Sequence, residues 1–243
     1  MSSPLLIAST VATAAVAAVS VATYATLSPG SQLCGRTLIA GNDPSQIALT
    51  FDDGPNPAIT PALLDLLAEH NVRATFFAIG RFVRSEPELL RRVHAAGHIV
   101  GNHTETHPWL AWQSNRRIAE ELRACNQAIE DVLGAPVRFF RPPHGARRTF
   151  VLRTARELGL TTVQWNCMGK DWMKISAEQI VRNLQSGISR AERNGHGANL
   201  LLHDGSDTGL GADRHATVAA VRTLLQILPK RGKHFVTVDK YLQ

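Results

Sequence analysis

Short apolar segments and amphipathic segments alternate about seven times along this chain of 243 residues. Apolar runs predict buried strands at 47–51, 74–79, 99–101, 137–140, 161–165, 199–202 and 234–238. Helical spacing of apolar residues predicts helices at 57–71, 87–96, 115–133, 148–158, 177–190 and 214–228. Strands that alternate with helices form parallel sheets, so this order predicts one α/β domain. The pattern alone leaves a barrel and an open doubly wound sheet as alternatives.

The N-terminal segment differs in composition from the rest of the chain. Arg36 is the only charged side chain among the first 37 residues, and 5–27 is rich in Ala, Val, Leu and Ile. This stretch has the length of a membrane-spanning helix but lacks the basic start of a standard export signal. We expect 1–30 to be a hydrophobic anchor plus linker, and 31–243 to be the folded domain. A cleaved export signal and a buried core helix are the alternatives.

Composition excludes two classes of function. The formal net charge is +6, but the chain has neither a long Lys/Arg run nor the interleaved aromatic residues of a nucleic-acid surface, so no nucleic-acid partner is expected. An anionic membrane surface or an acidic polymer such as a cell wall remains open. The chain has three cysteines, Cys34, Cys125 and Cys167, and no two of them are spaced as C-x-x-C. This excludes a zinc knuckle or a disulfide framework. We expect buried thiols, with a single disulfide as the alternative.

Two adjacent acids, Asp52 and Asp53, close the first predicted strand. Polar residues at this position are informative because parallel α/β folds build active sites at the carboxyl ends of their strands. Neighbours in a continuing strand point to opposite faces. Both acids serve one site only if the strand ends there and Gly54-Pro55 bends the backbone. A solvated Asp-Gly turn is the alternative.

Two histidines, His103 and His107, follow the third predicted strand. Residues four apart lie on one face of a helical turn and can bind one cation together. The pair alone is more typical of surface histidines that cap a helix, but with a carboxylate it completes a His₂-Asp set. Such a set leaves open positions for water and substrate. Glu105 lies between them, but the order is not the H-E-x-x-H of zinc proteases, so we do not assign it as a base.

Three later motifs also follow predicted strands. Arg141, in Arg-Pro-Pro-His-Gly, offers a planar donor fork for a carboxylate. Asp171 and Trp172 follow the next strand, and His203 lies where an apolar strand ends. A surface arginine, a core tryptophan and a structural histidine are the alternatives. Five polar motifs in succession at strand ends favour an active site.

The order of these motifs resembles the polysaccharide deacetylase family, which is the NodB-homology domain of carbohydrate esterase family 4. The resemblance runs from about residue 46 to the C-terminus. It rests on T-F-D-D-G (50–54), H-T-x-x-H (103–107), R-P-P-x-G (141–145), D-W (171–172) and L-x-H (201–203). It implies a distorted (β/α)7 barrel with parallel strands, and makes 31–243 the catalytic domain.

The resemblance implies a metal site and a base. Asp53, His103 and His107 would bind a divalent metal, usually Zn²⁺, with Co²⁺ or Mn²⁺ as alternatives. Asp52 would be the general base, held by Arg141.

The resemblance also implies an acid and a substrate pocket. His203 would be the general acid, tuned by Asp171. Trp172 and Leu201 would enclose the acetyl methyl group, and the backbone N–H of His144 would bind the oxyanion.

The chain departs from the family pattern at two positions. Met168 stands at the first acid of a motif that often reads D-x-x-D-W, and His144 stands where Tyr is common. Neither change removes a metal ligand or a catalytic group. The first puts the shape of the substrate groove in question.

The expected function is removal of N-acetyl groups from N-acetylglucosamine-containing glycans, either peptidoglycan or chitooligosaccharide. A metal-dependent acetyl-xylan esterase, a cyclic or formyl amide hydrolase, and a non-catalytic glycan-binding module are the alternatives. An extracellular polymer requires an extracytoplasmic enzyme, so we expect the protein to be membrane-anchored by its N-terminal segment or secreted. We expect a monomer.

Overall fold

Eight parallel strands form the sheet of this computed structural model, which describes residues 4–242. The first three residues of the predicted anchor and Gln243 lie outside the described residues. The strands are β1 (Gln46–Gly54), β2 (Thr75–Ala78), β3 (Ile99–Asn102), β4 (Phe139–Phe140), β5 (Thr161–Thr162), β6 (Cys167–Met168), β7 (Ala198–His203) and β8 (His234–Val236). The helices are α1 (Pro4–Leu27), α2 (Thr60–Glu69), α3 (Gly80–Ser85), α4 (Pro87–Ala95), α5 (Asn115–Leu133), α6 (Thr149–Glu157), α7 (Ala177–Arg193) and α8 (His215–Ile227).

The sheet is a half-barrel surrounded by helices, and this confirms the predicted distorted (β/α)7 barrel. Its strand order is β5-β4-β3-β2-β1-β7-β6, and β8 pairs with the first residues of β1. All the named pairings are parallel. The barrel alternative that the sequence pattern left open is therefore the observed one.

The central strand β1 is buried on both faces, which explains its nearly continuous apolar run. Ile47, Leu49 and Phe51 pack in one cluster with residues of the surrounding helices. Ala48 packs in a second cluster with Phe77 and other residues of the barrel interior. Because side chains alternate along a strand, Asp52 shares the interior face with Ala48. The strand therefore delivers an acid to the inside of the barrel.

The predicted elements agree best where the pattern is long. Helix α5 has the predicted bounds, begins after the N-cap Ser114, and ends at Gly134 in the left-handed conformation with φ 64°. The predicted strands at 137–140 and 161–165 were too long, because only two residues of each form β4 and β5. Helix α3 and strand β6 were not predicted, since elements this short carry no clear periodicity.

The end of α1 and the segment after it are bound to the barrel by Arg147, whose side chain is fully buried. Its guanidinium donates to the carbonyl oxygens of Ser28 at 2.7 Å and Ser31 at 2.6 Å. Its backbone N–H donates to the carbonyl of Thr26 at 3.0 Å. Among the residues that the structure describes, none of the helices combines the length and apolar character needed to cross a bilayer. The boundary between 30 and 31 stays a prediction.

All three cysteines are free thiols. Cys125 and Cys167 are buried, as expected, and Cys34 is half-buried. The single disulfide that the sequence left open does not form.

Candidate active site

A cavity of about 470 Å³ lies at the carboxyl ends of the strands. Eight of the ten predicted site residues line it: Asp52, Asp53, His103, His107, His144, Trp172, Leu201 and His203. The other two, Arg141 and Asp171, are buried behind this lining and contact it. A second cavity, of about 600 Å³, lies at the opposite end of the barrel beside His98 and contains none of the motif residues.

The two adjacent acids reach the same cavity because β1 is irregular at its end. The register with β2 shifts between Asp52 and Gly54, and Asp53 has φ 74° in the left-handed region. The strand ends at Gly54, directly after the two acids as expected, and the bulge lies just before this end. A bulge re-aims one side chain, so neighbours that would face apart lie together.

The predicted metal ligands converge on one point. The Asp53 Oδ1 atom lies 3.4 Å from His103 Nε2 and 3.2 Å from His107 Nε2. These three donor atoms are within 4.8 Å of one another. Asp53 Oδ1 is buried and has no hydrogen-bond partner in the described part of the chain. An unpartnered buried carboxylate oxygen facing two imidazole nitrogens suits a divalent cation.

The protonation pattern of the ligands agrees with this fit. His103 Nδ1 lies 2.7 Å from the carbonyl oxygen of Arg141, so the Nδ1–H donates to this oxygen and Nε2 is the ring nitrogen that faces the site. Burial by itself would raise the pKa of Asp53. The contact with His103 and the charges of the surrounding histidines lower it well below its usual range.

The loop that carries the two histidines is not the helical turn that their spacing suggested. Thr104 and His107 have φ of 68° and 63°, values that do not occur within a right-handed helix. The Thr104 N–H donates to Asn102 Oδ1, and the His107 N–H donates to Thr104 Oγ1. This loop places the two imidazole rings 4.9 Å apart. Strained backbone at a ligand site persists only where the surroundings hold it, as these bonds do.

Asp52 is paired with a fully buried arginine. The Nη1 group of Arg141 donates to Asp52 Oδ1 at 2.8 Å and to Thr50 Oγ1 at 2.7 Å. The guanidinium also lies 4.2 Å from the centre of the Phe77 ring. The donor fork that the sequence offered therefore meets this carboxylate.

His203 is paired with Asp171 on the other side of the cavity. His203 Nδ1 lies 2.8 Å from Asp171 Oδ1, and the His203 backbone N–H donates to Oδ2 at 2.8 Å. Thr217 Oγ1 donates to the same Oδ2 and so orients the carboxylate. Burial opposes a charged ring, but the charge and hydrogen bond of Asp171 raise the pKa of His203 to about 9. The ring is therefore protonated at neutral pH.

We expect Asp171→Asn to move the alkaline limb of the pH profile of turnover to lower pH. In its predicted role as general acid, His203 must be protonated, and its protonated fraction falls as pH rises through its pKa of about 9. Without the Asp171 charge, the largest effect that opposes burial is lost, so the pKa of His203 falls toward its ordinary value of 6.5. Turnover rates measured from about pH 5 to about pH 10, a range that brackets both pKa values of His203, check this expectation. Asp213→Asn, beside the exposed His215, is the matched control, and an unmoved limb in Asp171→Asn would contradict the pairing.

The predicted substrate-binding residues also face the cavity. Trp172 is partly exposed and meets the His203 ring edge-on at 5.3 Å between centroids. Leu201 is buried, and Met168 adds a further apolar wall. His144 has φ 56° in a short turn whose internal hydrogen bonds use the N–H groups of the next two residues. The backbone N–H of His144 itself takes no part in these hydrogen bonds.

Two acids of the site escaped the sequence reasoning. Asp204 is buried beside Gly54, where an added Cβ would collide with its carboxylate. Burial, and to a lesser degree the charge of Asp53, raise the pKa of Asp204 to about 7 despite a hydrogen bond from Thr60. Asp207 Oδ2 lies 3.3 Å from His107 Nδ1. Asp204 directly follows the L-x-H motif, which is a usable signal, whereas no pattern marks Asp207.

These features define an α/β-barrel enzyme with a His₂-Asp donor set and two flanking acid–base pairs. Residues 40–163 match the family model described as polysaccharide deacetylase. The chain belongs to this family, and it is a polysaccharide deacetylase.

Two named relatives share most of their length with this chain. A chitooligosaccharide deacetylase of Sinorhizobium fredii (strain NBRC 101917 / NGR234) is 39% identical over 79% of this chain and 90% of its own. A peptidoglycan-N-acetylglucosamine deacetylase of Bacillus cereus (strain ATCC 14579) is 38% identical over 83% of this chain and 90% of its own. Among solved structures, Bc1960 peptidoglycan N-acetylglucosamine deacetylase superposes with a TM-score of 0.76. It shows 30% identity and covers 84% of this chain and 91% of its own.

Proposed function

We propose that the protein hydrolyses the N-acetyl groups of N-acetylglucosamine-containing glycans with the help of a divalent metal. The observation that carries this proposal is the convergence of one carboxylate oxygen and two imidazole nitrogens between the Asp52–Arg141 pair and the His203–Asp171 pair. The named relatives act on chitooligosaccharide or peptidoglycan, and both are glycans of this kind. The site residues therefore receive the roles that follow.

Asp53, His103 and His107 would hold the metal. When bound there, a divalent cation such as Zn²⁺ would supply a Lewis acid for the acetyl carbonyl and would lower the pKa of water to about 7. The chain itself must then move two protons, because an amide needs both an activated nucleophile and a protonated leaving group.

Asp52 takes the proton of the attacking water in this proposal. It is nearly fully buried, and its contact with Arg141 holds one carboxylate oxygen and leaves the other for the attacking water. The backbone N–H of His144 donates to the oxyanion that forms, a type of contact worth about 3–4 kcal/mol.

His203 gives a proton to the departing amine. Its Nδ1 is bound to Asp171, which leaves Nε2 for the substrate, and its raised pKa keeps it charged at neutral pH. Trp172 and Leu201 enclose the acetyl methyl group, which fits their place on the cavity wall.

The site of action proposed for the enzyme is extracytoplasmic, because a cell-wall or chitin polymer lies outside the cell. Segment 1–30 would then serve as an anchor or an export signal. The net charge of +6 favours approach to an anionic wall.

We expect zinc-loaded protein to release acetate from chitooligosaccharide or peptidoglycan, and to lose this activity with a chelator and regain it with added zinc. Acetyl-xylan, assayed in parallel, separates an esterase from an amide hydrolase. His103→Ala serves as the control for metal-independent release. Silence on all three substrates in zinc-loaded protein would contradict the proposal, and tight glycan binding without acetate release would indicate a non-catalytic module.

A further inference from the structure

A row of aromatic rings leads out of the cavity from the metal ligands. His107 and His144 meet edge to face, with centroids 4.6 Å apart and an interplanar angle of 73°. His144 stacks on Trp109 at 3.9 Å and 14°. Trp109 in turn meets Trp112 at 4.9 Å and 37°. The row begins at a residue that lines the cavity and ends at a tryptophan on the surface.

The outer end of the row is unusually exposed for its residue type. Trp112 is 67% exposed and Trp109 is 41% exposed. Aromatic side chains of this size normally bury most of their surface. Contiguous exposed aromatic surface beside a cleft marks a place where a ligand binds. Neither tryptophan has a role in the proposed chemistry.

The segment that carries the two tryptophans is held in place before any ligand arrives. Leu110 between them is fully buried. The Trp112 N–H donates to the carbonyl of Trp109 at 3.1 Å, which closes a short helical turn. Arg148 Nη2 donates to the carbonyl of Gln113 at 2.9 Å. A surface fixed in this way loses little conformational entropy on binding.

We propose that Trp109 and Trp112 form a stacking surface for a sugar ring of the same glycan chain, next to the sugar whose acetyl group occupies the cavity. A pyranose ring presents a face of C–H groups that packs flat on an aromatic ring while its hydroxyls stay in water. The continuity of the row with His144 in the cavity identifies this occupant. The inference rests on the proposed function, and it makes the enzyme selective for chains of several sugars.

The test compares Trp112→Ala and Trp112→Phe with the wild-type enzyme on N-acetylated chitooligosaccharides of two lengths. On a long oligosaccharide of about six sugars we expect Trp112→Ala to reduce kcat/KM roughly three- to tenfold, mainly through KM. On the disaccharide we expect little change, and Trp112→Phe should retain most of the activity on both. Leu242→Ala, which removes an exposed apolar side chain elsewhere, is the control. Equal losses on both lengths, or none, would overturn the inference.

Calorimetric binding of the long oligosaccharide separates this inference from the proposed function. If Trp112→Ala binds the oligosaccharide more weakly than the wild type, and the wild type releases no acetate, the stacking surface would be supported and the proposed hydrolase contradicted. If the wild type releases acetate and Trp112→Ala changes neither binding nor length selectivity, the proposed hydrolase would be supported and the stacking surface contradicted. Sedimentation that shows wild-type self-association, lost in Trp112→Ala, would also overturn the inference, because the surface would then bind a second copy of the chain.

Discussion

His103→Ala is expected to abolish metal binding and acetate release together, whereas His203→Ala keeps the metal and loses most of its turnover. His103 Nε2 faces Asp53 Oδ1 at 3.4 Å and belongs to the converging donor set. His203 stands outside that set and is held by Asp171 instead. Loss of a general acid typically costs about 10²–10⁴-fold in rate. The two variants therefore separate two roles that activity alone would confuse.

Metal content by mass spectrometry and steady-state acetate release measure the two effects. The matched control is His94→Ala, which removes an exposed histidine from the outer helix α4 and should leave both quantities unchanged. A His203→Ala protein without metal, or one with wild-type turnover, would show that the assigned roles are wrong.

The second large effect concerns the buried pair behind the site. Arg141→Met is expected to lower the free energy of unfolding by about 3–5 kcal/mol, because it leaves the charge of Asp52 buried without its partner. The side chain of Arg141 is fully buried and that of Asp52 nearly so.

Asp52→Asn keeps the shape of the side chain and removes the proposed base, so we expect turnover to fall by about 10²–10⁴-fold with metal binding retained.

Denaturant unfolding and acetate release measure these effects. Arg153→Met breaks a pair with Glu157 whose side chains are 55% and 63% exposed. It should change the unfolding free energy by less than about 1 kcal/mol. If Arg141→Met were as mild as this control, the buried pair would not stabilise the site. If Asp52→Asn kept wild-type turnover, another group would be the base.

The long elements were predictable because their residues report a local periodicity. Helix α5 has both a cap residue and a left-handed glycine at its ends, and its bounds followed from these signals. Short elements such as β6, at Cys167–Met168, carry too few residues to show a period. Their conformation depends on the strand beside them, which is distant in the chain.

The site was predictable as a set of residue types but not as a geometry. The motifs indicated that Asp53 and His103 share a site, and the structure brings their atoms together. The expected helical turn at the histidines was wrong, because hydrogen bonds from backbone N–H groups to the side-chain oxygens of Asn102 and Thr104 hold a loop with left-handed residues instead. A spacing of four constrains a helix, whereas a loop can meet the same spacing in several ways.

The sequence by itself determined the parallel α/β order, the family and the residues that follow each strand, because these depend on periodicity and on the positions of polar residues along the chain. Only the tertiary structure decided that a bulge turns Asp53 into the cavity, that Asp207 lies beside His107, and that Trp112 ends a row of rings. Each of these rests on contacts between segments far apart in the chain or on backbone angles that such contacts impose. No local pattern of residues encodes them.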